Sequence, residues 1–198
     1  MTAQLKVSYS TDRPFRIGLL GRAYSGKTTL ANYIRQNVVY KNDYLGNTSP
    51  LILSFADPLK RMLENNEVDL ADKEKVRSLM QEVGTAFRNY NPNFFVEKLV
   101  ESLGDIYPIV VDDVRYKNEA DALLDKGFSL FYISSHLKDR LKRGAPEELA
   151  TSDHPSEAGY ALKAGEGVTI LYDANHSTTA SMFGTMLDHY LNSLPEGL

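Results

Sequence analysis

The feature that most constrains the fold of this chain is the segment Gly21–Thr28, GRAYSGKT, which fits the pattern G-x-x-x-x-G-K-[ST]. An apolar run with Phe15, Ile17 and Leu19 comes before it, and a helical pattern over residues 28–39 follows. Because glycine tolerates backbone angles that other residues avoid, successive N–H groups of such a loop can turn inward around a phosphate. Strand, loop and helix in this order predict that the segment binds the phosphates of a nucleoside triphosphate.

The side chains at the end of this loop have separate expected roles. Lys27 places a cation near the β- and γ-phosphates, and the hydroxyl of Thr28 can ligate Mg²⁺. The positive end of the following helix points at the same anion. The predicted nucleotide-binding residues are Gly21, Ala23, Ser25, Gly26, Lys27, Thr28 and Thr29.

Charge and composition narrow the classes of function. At 198 residues, the chain suits one domain with room for a small insertion or lid. A net charge of −4 argues against a broad cationic surface, so we expect no stable nucleic-acid binding. Cysteine is absent, which excludes disulfides and thiolate metal sites and makes a reducing cytoplasm the natural expectation. No apolar run approaches the roughly 20 residues of a membrane span, and residues 1–13 resemble a polar lead-in.

Short apolar segments alternate with helical patterns along the chain. The predicted strands are 15–20, 51–55, 107–112, 130–134 and 168–171. The predicted helices are 28–39, 58–65, 73–90, 94–103, 118–126, 137–142 and 177–194. This alternation predicts an α/β protein with a parallel sheet, helices on both faces and ligands beyond the carboxyl ends of the strands. Residues 144–167 show no regular pattern and fit either a mobile lid or a surface excursion.

A second candidate site lies at the end of the second predicted strand. There Asp57 can cap the helix that follows, with Pro58 at its favoured first position. Alternatively, Asp57 holds or activates a hydroxyl or phosphate oxygen of an acceptor in the crevice beyond the strand. Lys60 and Arg61 lie in the first turn of that helix, where the helix dipole disfavours cations. They therefore stabilise the helix little unless an anion is nearby.

The predicted helix 73–90 carries two stripes of side chains. The first is apolar and is expected to face the core: Val76, Met80, Val83 and Phe87. The second lies about 100° round the helix: Arg77, Gln81, Gly84 and Arg88. Two arginines, a glutamine and a glycine suit contacts to a phosphate and a base, but the same pattern also fits a solvated flank.

The third predicted strand ends in two carboxylates, Asp112 and Asp113. An acidic residue at this point is where a phosphate-loop protein places a group linked to Mg²⁺, directly or through water. Side chains alternate along a strand, so only one of the two can serve the metal. Arg115 lies two residues past Asp113, on the same side if the strand continues, where it can contact a transferring phosphate; the segment also fits an ordinary strand end.

Two further charged segments follow the fourth predicted strand. Arg140 and Arg143 are i, i+3 neighbours, which either converge on one phosphate from a lid or lie on a solvated helix. His154 fits the start of a helix, and Glu157 stays undecided. The histidines show no metal-ligand spacing.

Taken together, these residues resemble the bacteriophage deoxynucleoside monophosphate kinases. The matching segments are 21–29, Ser54–Lys60 (SFADPLK), the helix with Arg77 to Arg88, Asp113–Glu119 (DVRYKNE) and His154–Glu157 (HPSE). The loop is common to many families, whereas the Phe-Ala-Asp-Pro and Asp-x-Arg-Tyr-x-Asn-Glu elements are more specific. Residues 173–177 match the turn expected near the adenine only loosely, so no base-contacting residue is assigned.

The resemblance implies a fold and an activity. The fold is a P-loop three-layer α/β/α sandwich with a mainly parallel five-stranded sheet, similar to nucleoside monophosphate kinases. One domain over 1–198 would include an acceptor-binding helical region at about 57–104 and a lid at about 136–166. The activity is Mg²⁺-dependent transfer of the γ-phosphoryl of ATP to a deoxynucleoside monophosphate (dNMP), which gives ADP and the diphosphate. A phage-encoded enzyme would act in the host cytoplasm, and a homodimer is left open.

The resemblance also implies roles for individual residues. It selects Asp113 over Asp112 as the carboxylate that accompanies Thr28 at the metal. The implied catalytic residues are Lys27, Asp57, Asp113, Arg115, Arg140 and Arg143. The implied acceptor contacts are Phe55, Asp57, Lys60, Arg77, Gln81, Arg88 and Arg115. Asn118 and Glu119 are expected to brace the turn at Arg115.

Two rival functions stay open at this point. One is a kinase for another acceptor, either a phosphorylated metabolite or a modified base in DNA. The other is a nucleotide-dependent switch that transfers no phosphoryl group to a small molecule. The arginine-bearing segments argue against a switch, because a switch has no need of a second anion pocket.

Overall fold

The computed structural model describes residues 7–9, 15–42, 46–71, 73–104, 108–151, 168–172 and 179–192. The chain divides into two compact units. Unit 1 comprises Met1–Ile52 and Gly104–Leu198, and unit 2 is Leu53–Leu103. Unit 2 covers nearly the same residues as the helical region that the resemblance assigns to the acceptor.

Helices and strands alternate through the described residues. The strands are β1 (Val7–Tyr9), β2 (Arg16–Leu20), β3 (Val38–Asn42), β4 (Gly46–Thr48), β5 (Leu51–Leu53), β6 (Ile109–Val114), β7 (Ser129–Ser134) and β8 (Val168–Tyr172). The helices are α1 (Lys27–Asn37), α2 (Asp57–Asn65), α3 (Lys73–Tyr90), α4 (Phe94–Ser102), α5 (Lys117–Asp125), α6 (Leu137–Lys142), α7 (Glu147–Ala150) and α8 (Thr179–Asn192). The predicted strands and helices are all present within the described residues, and the ends that are described shift by a few residues at most; the predicted ends at 107, 177 and 194 lie outside the described residues.

The main sheet has five parallel strands in the order β5-β6-β2-β7-β8. Its strands are short apolar runs, which is typical of parallel strands that are covered on both faces. β2 lies in the middle of the sheet, between β6 and β7, so the loop that follows it starts at the centre of the carboxyl edge. The predicted α/β fold is confirmed.

Helices cover both faces of this sheet. On one face, α1 and α8 pack on β2 through a buried cluster that includes Ile17, Leu30 and Phe183. On the other face, a Cβ added to Gly18 would lie 2.5 Å from Cδ2 of Leu130 and 3.1 Å from Cδ1 of Leu123 on α5. Glycine therefore lets α5 approach the central strand closely, and the result is a three-layer arrangement.

β6 contains an irregularity where its two carboxylates lie. Gly18 pairs with Val111, but Leu20 pairs with Val114, so two residues of β6 stand opposite one residue of β2. The extra residue is a β-bulge at Asp112 and Asp113. Simple alternation, on which the sequence-based argument about these two aspartates depends, does not hold across this point.

A second sheet was not predicted from the sequence. It has the order β1-β3-β4, with β1 parallel and β4 antiparallel to β3. The prediction that α1 reaches residue 39 is therefore wrong, because the helix ends at Asn37 and Val38 begins β3. The polar lead-in is also corrected, since Val7–Tyr9 form a strand.

Unit 2 consists of α2, α3 and α4 with their connections. Phe87 stacks on Phe94 with ring centroids 4.6 Å apart, and Phe94 meets Phe95 edge to face at 5.1 Å. Leu59, Leu63 and Leu99 are buried as well. The ring contacts join the end of α3 to the start of α4.

The structure also adds α7, which was not predicted. Most of the irregular stretch 144–167 lies outside the described residues. No helix in the described ranges is long and apolar enough to cross a bilayer.

Candidate active site

The loop between β2 and α1 depends on two glycines with left-handed backbone angles. Gly21 has φ 137° and Gly26 has φ 101°. A Cβ at Gly21 would lie 2.6 Å from the carbonyl oxygen of Ile133, so only glycine fits there. Tyr24 also has a positive φ, 59°, which is uncommon for a residue with a side chain. The predicted strand–loop–helix arrangement is confirmed.

Lys27 lies at the start of α1 and is only 7% exposed. Its Nζ donates hydrogen bonds to the carbonyl oxygens of Gly21, at 2.6 Å, and Arg22, at 2.8 Å. The backbone of the loop therefore holds the ammonium group within the loop instead of leaving it in solvent. A positive charge stands ready where an anion would bind.

Thr28 contacts a carboxylate of β6. Its Oγ1 donates to Oδ2 of Asp112 at 2.9 Å. The resemblance implies Asp113 as the carboxylate that serves the metal with Thr28, whereas the hydrogen bond from Thr28 goes to Asp112, at the bulge in β6. A hydroxyl and a carboxylate in contact are the hard oxygen ligands that Mg²⁺ prefers, so these two residues fit that ion.

The turn after β6 is held by a buried carboxylate. Glu119, 1% exposed, accepts the backbone N–H of Arg115 at 2.8 Å and that of Tyr116 at 3.1 Å. The expected bracing role of Glu119 is therefore confirmed. The Arg115 side chain itself is half-buried.

The two arginines of the α6 region have different surroundings. Arg140 is buried, 5% exposed, so the solvated-helix alternative is wrong for it. Arg143 is exposed, and its Nη1 donates to the carbonyl oxygens of Tyr24, at 3.2 Å, and Ser25, at 3.3 Å. The structure therefore brings Arg143 to the backbone of the phosphate loop.

In unit 2, the side chain of Asp57 accepts hydrogen bonds from the turn before it and from Lys60. The carboxylate accepts the N–H of Ser54 at 2.9 Å through Oδ2 and the Nζ of Lys60 at 3.0 Å through Oδ1. Lys60 also donates to Oγ of Ser54 at 3.3 Å. Helix α2 begins at Asp57 itself, with Pro58 in its first turn, so the predicted forward cap is replaced by a bond back to the turn.

A cleft of about 420 Å³ lies beside this turn within unit 2. Its walls come from the start of α2 and the end of α4. The lining residues are Leu53, Ser54, Asp57, Pro58, Lys60, Arg61, Glu64, Lys98, Leu99 and Ser102. Two of the predicted acceptor contacts, Asp57 and Lys60, border it, whereas the arginines of α3 do not.

The charged stripe of α3 is not a solvated flank. Arg77, Gln81 and Arg88 are half-buried, and Gly84 is buried. The guanidinium of Arg88 lies 4.5 Å from the ring centroid of Phe95, which is a cation–π distance. Sequence reasoning missed this partner; the signal available was the Phe94-Phe95 pair at the start of the next helix.

Several predictions fall outside the described residues. These concern His154, Glu157 and the segment 173–177.

No protein-family model matches the chain, and no curated protein matches it either. Solved structures are similar in fold. A gluconokinase from Sinorhizobium meliloti 1021 matches with TM-score 0.51 and 14% identity, over 93% of this chain and 100% of that one. TT1252 from Thermus thermophilus matches with TM-score 0.51 and 16% identity, over 93% and 100% of the two chains. At these identities the likeness concerns the α/β fold alone.

Proposed function

We propose that this chain is a deoxynucleoside monophosphate kinase, which transfers the γ-phosphoryl group of ATP to a dNMP and releases ADP and the diphosphate. The observation that carries the donor part of the proposal is the 2.9 Å hydrogen bond between Thr28 and Asp112, next along the chain to the loop-held ammonium of Lys27; the dNMP as acceptor is supported by the family resemblance. This arrangement supplies a phosphate cradle and an oxygen pair for a divalent ion, as phosphoryl transfer requires.

In the donor site, the loop and α1 bind the triphosphate. Inward N–H groups and the positive end of α1 contact the phosphates, and Lys27 exchanges its carbonyl partners for phosphate oxygens. Thr28 and Asp112 would hold Mg²⁺, which when bound with ATP neutralises charge on the β- and γ-phosphates. Arg115, at the carboxyl end of β6 on a turn braced by Glu119, contacts the transferring group in this proposal.

Unit 2 takes the acceptor in this proposal. Arg77 and Arg88 supply guanidinium groups that suit a phosphate, and Gln81 supplies an amide that suits a base edge. Their partial burial supports binding, because a half-buried arginine binds an anion more strongly than one in full solvent. The Phe-Ala-Asp-Pro turn supports the same assignment through the family resemblance.

The chemistry of the acceptor defines what Asp57 has to do. A phosphate monoester has its second pKa near 6, so at neutral pH its oxygen is already anionic and needs no general base. Because the carboxylate of Asp57 is bonded to Ser54 and Lys60, we assign it to holding the turn and orienting Lys60. Lys60 then faces the acceptor as the cation.

The deciding experiment is a measurement of ADP release from Mg²⁺–ATP with a panel of acceptors. The panel contains the common and modified dNMPs, the ribonucleoside monophosphates, gluconate, and a blank without acceptor. We expect dNMP-dependent release that far exceeds the blank, with the dNDP identified by chromatography. A variant in which methionine replaces Lys27 is the matched control for contaminating kinases.

Two outcomes would contradict the proposal. Hydrolysis that is independent of every acceptor would indicate a nucleotide-dependent switch. ADP release that depends on gluconate or another non-nucleotide acceptor would indicate a kinase for a different small molecule. Gluconate belongs in the panel because a gluconokinase shares the fold.

A further inference from the structure

Helix α6 ends in a motif that fixes the position of Arg143. Gly144 adopts φ 88°, its N–H donates to the carbonyl of Leu141 at 2.9 Å, and the N–H of Ala145 donates to that of Arg140 at 3.1 Å. This pair of bonds is the Schellman pattern, in which a left-handed glycine ends a helix. Ala145 is buried, so the chain leaves the helix along a defined path.

From this fixed helix end, the Arg143 side chain reaches the phosphate loop. Its Nη1 lies 3.2 Å from the carbonyl oxygen of Tyr24, 3.3 Å from that of Ser25 and 3.1 Å from Oγ of Ser135. The guanidinium therefore joins the loop to the connection between β7 and α6. A guanidinium always carries its charge, so these bonds are charge-assisted at every physiological pH.

The direction of the two carbonyls matters for phosphate binding. In a trans peptide, the C=O and the following N–H point in opposite directions. Because the carbonyls of Tyr24 and Ser25 point at Arg143, the N–H groups of Ser25 and Gly26 point away from it. The N–H of Ser25 is directed to the carbonyl of Arg22 at 3.2 Å, within the loop. Since the N–H of Ser25 is bonded within the loop, the N–H of Gly26 is the one of the two that a bound phosphate can use on the inner side.

The backbone at Tyr24 explains why such a contact is needed. A φ of 59° is disfavoured for any residue other than glycine, so the tip of this loop does not hold its conformation by local preference. A bond from outside the loop to the Tyr24 carbonyl stabilises that peptide orientation.

We propose that Arg143 is a positioning residue, which keeps the tip of the loop in its phosphate-binding conformation by binding the carbonyls of Tyr24 and Ser25. This role rests on the part of the proposed function in which the loop binds a nucleotide. It differs from a direct contact of Arg143 with the transferring γ-phosphoryl. α6 thereby sets the affinity for the nucleotide without touching it.

The test is calorimetric binding of Mg²⁺–ADP and Mg²⁺–ATP, without acceptor, to the native chain and to Arg143→Met. A lost charge-assisted contact predicts that both nucleotides bind about tenfold more weakly, because the loop contacts the β-phosphate that they share. Lys142→Met, an exposed neighbour on α6, is the control and is expected to bind both as the native chain does. Weaker ATP binding with ADP unchanged would overturn the proposal and favour a γ-phosphate contact.

A second pair of variants tests the same role if Arg143→Met does not fold. Gly144→Ala strains the end of α6, and Gly127→Ala strains the matching end of α5, where φ is 76° and the same two bonds recur. Neither added Cβ meets an atom within 4 Å, so the two variants differ mainly in which helix end they disturb. We expect weaker ADP binding only for Gly144→Ala; equal ADP affinities in the two variants would refute the role of Arg143.

Failure of this proposal is distinguishable from failure of the proposed function. If ADP binding depends on Arg143 but no dNMP is phosphorylated, the kinase assignment fails and the role of Arg143 stands. If the native chain binds neither nucleotide, both are refuted.

Discussion

The two units hold the cations of the candidate site mainly in different ways. In unit 1, Lys27 and Arg143 donate to main-chain carbonyls of the phosphate loop, and Arg143 also donates to the hydroxyl of Ser135. In unit 2, Lys60 is bonded to the carboxylate of Asp57, and Arg88 lies over the ring of Phe95 with one longer bond, 3.4 Å, to the carbonyl of Gly84. Main-chain carbonyls are positioned by the fold, whereas side-chain partners move with the packing around them.

The two kinds of contact predict different responses to substitution in the two units. In the proposed kinase, a cation held by the loop backbone serves one phosphate geometry, so its loss should reduce turnover for every acceptor. A cation held mainly by side chains would serve a surface that packing can reshape, so its loss should change the choice of acceptor and its KM.

The largest effect is expected for Lys27→Met. The substitution keeps the volume of the side chain but removes the cation, so kcat should fall about 100- to 1000-fold with all dNMPs alike. Circular dichroism should show an unchanged fold. Lys138→Met on the exposed side of α6 is the control. A near-native kcat of Lys27→Met would show that Lys27 takes no part in phosphoryl transfer.

Asp112→Asn should have the next largest effect. The substitution removes the carboxylate that accepts the hydrogen bond from Thr28, so the site should bind a divalent ion more weakly. Activity should therefore fall about 10- to 100-fold and recover partly at high Mg²⁺. The activity of Asp113→Asn should stay within about threefold of the native activity, because Asp112 makes the contact to Thr28. The reverse order of the two variants would restore the assignment that the resemblance implied.

Arg88→Met tests unit 2. We expect the KM for the dNMP to rise about tenfold and the KM for ATP to stay unchanged, because a charge-assisted contact to the acceptor phosphate is lost. The KM of Arg88→Lys for the dNMP should lie between those of the native chain and Arg88→Met. Asn89→Ala, on the exposed face of α3, serves as the control. An equal rise in both KM values would mean that Arg88 only supports the packing of α3.

The smallest expected effects concern two glycines and are measured as free energies of unfolding in urea. Gly18→Ala should destabilise the chain by about 1–3 kcal/mol, since the new Cβ would lie 2.5 Å from Leu130. Gly84→Ala should change stability by less than about 1 kcal/mol. Its Cβ meets the flexible end of Arg88 at 3.2 Å, and alanine favours the helix. A large loss at Gly84 would show that unit 2 packs as rigidly as unit 1.

The parts of the fold that sequence predicted are those with local causes. The loop pattern, the apolar strands of the main sheet and both ends of α3 and α6 follow from residues that are near one another in the chain. The second sheet was missed because β1 and β4 are three residues long and Gly46–Thr48 is polar. The end of α1 was missed because Val38 and Val39 continue an apolar pattern, although β-branched residues favour strands.

The site was predicted less completely, because its details depend on pairing between distant segments. The bulge at Asp112, which accepts the hydrogen bond from Thr28, exists only in the register of β6 against β2. The contact of Arg143 with the loop joins residues that are more than a hundred positions apart. Neither the bulge nor the contact of Arg143 can be predicted from the residue pattern within a single segment.

The position of unit 2 along the chain has a consequence for acceptor choice. β5 and β6 are neighbouring parallel strands, and the N–H of Leu51 donates to the carbonyl of Pro108 at 2.8 Å. Parallel neighbours need a crossover, and here the crossover is unit 2 itself. Residues 54–103 thus connect the end of β5 to the segment before β6 as one continuous stretch of the chain. In the proposed kinase, a chimera that exchanges this stretch should change the acceptor, while the residues of the ATP site keep their sequence.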